Sequence, residues 1–99
     1  MQDITIPGKI QVGGHWYEVR FVKNLIRDTG NRGQVTWHTQ SVEIDDNMPE
    51  SITSQVFWHE CKHLVDKHYN NDSLAEDAVA SMAEGEFQVL QGMGIRFVR

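Results

Sequence analysis

Ninety-nine residues, of which 39% are hydrophobic and 23% charged, make one small globular domain spanning 1–99 and exclude a second domain of ordinary size. The formal charge of -5 argues against a nucleic-acid binder that works through a broad basic face, and no apolar run approaches the roughly 20 residues a membrane span needs. The opening stretch has neither a basic n-region nor an apolar h-region, and Cys61 has no second cysteine to pair with, so no secretory signal and a reducing, cytoplasmic setting are expected.

The first half reads as strands. Ile4-Thr5-Ile6 precedes the breaker Pro7-Gly8, and Ile10 and Val12 alternate before Gly13-Gly14, which suits a two-residue turn joining 9–12 to 15–22 as a hairpin. In 15–22, Tyr17, Val19 and Phe21 share one face. A short helical turn fits Asn24–Arg27, and Thr29-Gly30-Asn31-Arg32-Gly33 is a loop signal. Two further strands follow over 34–38 and 41–45; in the second, Val42 and Ile44 are expected to point inward, Glu43 and Asp45 outward.

The second half is helical. A helix starting near Pro49 and Ser51 meets no breaker before Tyr69, and it sets Ile52, Val56, His59 and His63 along one face with Phe57, Cys61 and Leu64 beside them. Asn70-Asn71-Asp72 ends it. Ser73 is then expected to cap a second helix whose Ala75, Ala78, Val79, Met82, Ala83, Phe87 and Leu90 form an apolar face, and Ile95–Arg99 can return as a strand after Gly92 and Gly94. Strands followed by two packed helices make an α+β layout. Residues 41–90 hold eleven acids against two lysines, an imbalance that two solvated helices explain and that also favours a divalent cation nearby.

His59-Glu60-Cys61-Lys62-His63 is an H-E-x-x-H on the first of these helices. Four residues apart, the imidazoles project from adjacent turns of one face and can share a tetrahedral zinc ion, while the neighbouring Glu60 can reach a water as general base. A third protein ligand is required. His68 is rotated away from the shared face, and Asp66 fits better as a partner to a ligating imidazole than as a ligand. Glu76, at the head of the helix that folds back, is the candidate; its competing role is a capping box with Ser73. Cys61 beside His63 could be read as a nucleophile, but a buried small residue is the simpler role. Trp16, Trp37 and Trp58 show no stacking-platform spacing.

Phe57-Trp58-His59-Glu60-Cys61-Lys62-His63-Leu64-Val65-Asp66 resembles the active-site helix of small zincin-like metallopeptidases of phages and prophages, close to the ImmA/IrrE-type minimal metalloproteases. The segment from Glu76 to Leu90 is similar to that group's following helix, and Ile10 to Val19 and Gln40 to Asp45 are similar to its strands, so the likeness covers nearly the whole chain. It implies a minimal zincin-like domain of N-terminal antiparallel strands followed by the H-E-x-x-H helix and a second packed helix. It also implies zinc on His59, His63 and Glu76, Glu60 as general base, and hydrolysis of a peptide or protein substrate. Lys62, Cys61 and Glu86 depart from the family pattern, Lys62 by bringing a cation near the site. Tyr69, His68 and His38 are the candidates for stabilising an oxyanion. Residues 33–45 would offer the sheet edge for substrate, with Trp37 or His38 near the cleft. The alternative is a zinc-binding regulatory or interaction module without hydrolytic activity, in which the metal supports a thin core.

Overall fold

The computed structural model describes residues 2–99, and its elements follow in chain order: β1 (Gln2–Thr5), β2 (Lys9–Val12), β3 (His15–Val22), α1 (Leu25–Thr29), β4 (Gly33–Thr36), β5 (Ser41–Asp45), α2 (Glu50–Tyr69), α3 (Glu76–Gly92) and β6 (Ile95–Val98). This is an α+β fold with strands preceding the two long helices. No helix is long and apolar enough to cross a membrane.

Gly13 and Gly14 close the β2–β3 hairpin with φ of 61° and 79°, which places Val12 opposite His15. Both residues lie in the left-handed region that favours glycine, as a two-residue hairpin turn demands. Gly13 also has no room for a side chain, since a Cβ there would lie 2.5 Å from the His68 ring.

The main sheet has the order β2-β3-β5-β4, with β3 and β5 parallel. The expected all-antiparallel arrangement is therefore corrected to a mixed sheet. The physical reason is the segment between β3 and β4: α1 carries the chain past the sheet, so β4 lands on the outer edge and the tight β4–β5 turn inserts β5 between β3 and β4. The most buried strand, β5, thus lies inside the sheet. Val42 and Ile44 are fully buried, each contributing about 1.5–3 kcal/mol of transfer free energy, while Gln34 and Thr36 sit on the edge. A second correction concerns Asp45, which is buried rather than outward. Its carboxylate accepts the amide N–H groups of Ile26 at 2.8 Å and Asn47 at 2.8 Å, so it holds the first turn of α1, and these donors lower its pKa.

β6 does return as a strand, and it pairs in parallel with β1, Gln2 opposite Ile95 through Thr5 opposite Val98, in a separate two-stranded sheet. Phe97 fixes this sheet to α2. Its ring stacks on Trp58 at 5.7 Å and meets Phe57 edge-on at 5.3 Å, while its N–H donates to the buried hydroxyl of Ser54. The core lies where this face of α2 meets Tyr17, Val42, Ile44 and Phe87.

Candidate metal centre

α2 carries His59 and His63 on adjacent turns with ring centroids 5.0 Å apart. Both imidazoles are mostly buried, yet their Nε2 atoms share one target. His59 Nε2 lies 3.0 Å from Glu76 Oε1, and His63 Nε2 lies 2.9 Å from Glu76 Oε2. One ligand atom from each residue falls within 4.8 Å of the others. The edge of a tetrahedral zinc site with bonds of about 2.0–2.1 Å is about 3.3 Å, so this spacing fits a shared ion. Two imidazole nitrogens and one carboxylate are also a donor set that zinc accepts with a fourth position open. Glu76 is otherwise exposed, and its carboxylate spans both rings.

The turn between the helices produces this meeting. Asp66 is only 2% exposed, and its carboxylate accepts the Asn70 side-chain amide at 2.9 Å and the Leu74 N–H at 3.3 Å. Its backbone carbonyl accepts the N–H groups of Asn70 and Asp72. Asn71 and Asp72 then adopt φ of 54° and 53°, turning the chain back so that α3 begins at Glu76 over the two histidines. Asp66 thus positions Glu76 through the turn, where partnership with a ligating imidazole was expected. The capping-box alternative is also corrected. Ala75, not Ser73, precedes the first helical residue of α3, no side chain caps that end, and the Glu76 carboxylate is turned to the histidines.

Glu60 is 5% exposed and lines a cavity of 330 Å³ together with His59 and Glu76. Burial, and after it the charge of Glu76, push its pKa up to about 8. Gly33, the first residue of β4, passes directly over this carboxylate; a Cβ there would lie 2.6 Å from Val56 Cγ1 and 3.2 Å from Glu60 Oε2. Gly33→Ala is accordingly expected to force β4 off α2 and cost about 1–3 kcal/mol, measured by urea unfolding, with Glu60 displaced from the cavity. Unchanged stability would mean that this approach is not tight.

Lys62 and Glu86, two of the departures from the pattern the sequence resembles, pair with each other. Lys62 Nζ donates to Glu86 Oε2 at 2.8 Å, and Trp58 Nε1 donates to Glu86 Oε1 at 3.1 Å, so the lysine is neutralised across the α2–α3 interface. Cys61 is buried, and burial followed by the Glu60 charge pushes its thiol up to about 12, which rules out a thiolate nucleophile at neutral pH.

None of the expected oxyanion donors reaches the cavity. His68 is bonded to the Tyr17 hydroxyl and stacked on His15 at 5.3 Å, Tyr69 is exposed at the end of α2, and His38 lies in the β4–β5 turn. Trp37 packs edge-on against Tyr17 with Lys67 over its ring, also away from the cavity. The cavity wall opposite α2 is formed instead by Asn31, Arg32 and Gly33, whose sequence carries only a loop signal. The one available signal was Gly33, a glycine at the start of a strand where another element approaches closely.

No family model, curated protein sequence or solved structure matches this chain.

Proposed function

We propose that the protein is a zinc-dependent peptidase of the zincin type, similar to the ImmA/IrrE-type metalloproteases, with His59, His63 and Glu76 as zinc ligands and Glu60 as general base. The observation that carries this reading is that the buried Glu60 carboxylate opens on the cavity lined by His59 and Glu76, two members of the two-histidine, one-carboxylate cluster. A site that only held the fold together would have no need of a second, buried carboxylate beside its ligands. Zinc held there would act as a Lewis acid on a substrate carbonyl and would acidify a water molecule.

Glu60 accepts the proton of the attacking water and delivers it to the leaving amine. Its place on the cavity wall beside His59 and Glu76 puts it within reach of such a water, and zinc nearby would favour the charged, proton-accepting form of the carboxylate. Arg32 and Asn31 are the donors on the opposite wall that can meet a developing oxyanion. In Glu60→Gln the amide keeps the shape and cannot take the proton. Hydrolysis of quenched fluorescent peptides by the zinc-loaded protein is expected to fall by about 10²–10⁴-fold with zinc content unchanged. Hydrolysis that persists in this variant would place the base elsewhere. A parent protein that binds zinc and cleaves no peptide would favour the regulatory or interaction module.

A further inference from the structure

A second cavity, of 300 Å³, adjoins the first and shares Gln55 and Glu84 with it, so one groove runs from His59 along the seam between the N-terminal half of α2 and the C-terminal half of α3. Its far part has a distinctive lining. Ile52 and Phe87, both packed into the core, give it an apolar floor, Gln88 and Gln91 give it neutral polar walls, and Glu84 is its one charged side chain. Among the described residues Glu84 makes no ion pair, unlike Glu86 two positions on. Arg32 lines the metal-side cavity only.

An apolar floor bordered, on the wall shared with the first cavity, by an unpaired carboxylate suits a long basic side chain, which lays its methylene stem on apolar surface and keeps its charged head at a polar rim. We propose that this groove is a subsite for a lysine or arginine side chain of the peptide substrate, with Ile52 and Phe87 against the stem and Glu84 against the head. This rests on the peptidase reading above and adds to it the substrate class. Gln55, on the shared wall, lies where the peptide backbone would pass between the two parts, and its amide can both donate to and accept from that backbone. An acidic side chain would face Glu84 without compensation, so the same carboxylate would discriminate against it.

The test uses fluorescein-labelled decapeptide pools, each with one position fixed as Lys, norleucine or Glu and the rest randomised, at 150 mM salt. Binding is read by anisotropy on zinc-loaded Glu60→Gln protein, and cleavage on the zinc-loaded parent. At one or two positions near the labelled centre, Lys should bind about fivefold better than norleucine, and Glu worse than either. Adding Glu84→Gln should erase the preference, Glu84→Lys should turn it toward Glu, and Asp77→Asn should leave it standing, with zinc content the same in all. Absence of any Lys preference, or a preference undiminished by Glu84→Gln, overturns the subsite. A Lys preference in binding that Glu84 controls, with no cleavage by the parent, supports the subsite and counts against the peptidase reading alone.

Discussion

Glu76→Gln should lower zinc affinity by more than about 100-fold, because changes to residues that merely orient ligands already cost about 10–100-fold and this one removes an anionic ligand outright. The helix should survive. Its N-terminus has no side-chain cap to lose, and the charge of Glu76 there is worth about 0.3–1 kcal/mol through the helix dipole. Two neighbours separate this effect from general damage. Asp77 accepts only the N–H of Ala78, so Asp77→Asn should bind zinc like the parent. Asp66→Ala strips partners from the Asn70 amide and the Leu74 N–H and should cost about 1–3 kcal/mol of stability even in metal-free protein, which Glu76→Gln should not. Zinc titration against a chromophoric competitor, with circular dichroism of each variant, checks the set. Parent-like zinc binding by Glu76→Gln would remove Glu76 from the centre.

The second large effect concerns Glu60 in the metal-free protein. Below its unfolded pKa of 4.5 both folded and unfolded chains carry the proton. Between that value and about 8 only the folded chain retains it, so unfolding releases a proton and stability falls as pH rises. Above about 8 the folded chain holds a buried carboxylate, and the full penalty, about 3–5 kcal/mol at most, is present. Gln carries no such charge. Chelator-treated Glu60→Gln should therefore match the parent near pH 5 and exceed it near pH 9, with the gap opening across the interval between. Urea unfolding at a series of pH values measures it. A gap that does not change with pH would mean that Glu60 is already ionised or solvated when the fold forms. Zinc should close the gap in the parent, since a dication near the carboxylate favours its charged form.

The fold and the site were legible where the information is local. The Gly13-Gly14 hairpin, the helix ending at Tyr69 and the return of Ile95–Val98 as a strand follow from turn chemistry and periodicity. His59 and His63 follow from helical spacing alone. What escaped is carried by distant pairings. The parallel match of β3 with β5 depends on where α1 sets the chain down, and the parallel match of β1 with β6 joins opposite ends of the sequence; neither leaves a mark in either strand's own pattern. Asp45 alternates like an outward residue, and only the amides of Ile26 and Asn47 make its burial tolerable. Ser73 reads as a cap because it has the right chemistry, yet the turn held by Asp66 delays α3 to Glu76 and frees that carboxylate for the histidines. Arg32 and Gly33 reach the cavity from the start of β4 and Glu84 from α3, so no spacing rule could join the two segments.

The central claim is that His59, His63 and Glu76 together hold one zinc ion. Metal-free protein titrated with zinc and then studied by X-ray absorption at the zinc edge tests this most directly. The expected result is one equivalent bound, with only nitrogen and oxygen neighbours at about 2.0–2.1 Å and the outer-shell scattering of two imidazoles. Loss of that binding in His59→Ala and in His63→Ala should accompany it. A sulfur neighbour at about 2.3 Å, which would have to be Cys61, or failure to bind zinc at all, would contradict the account.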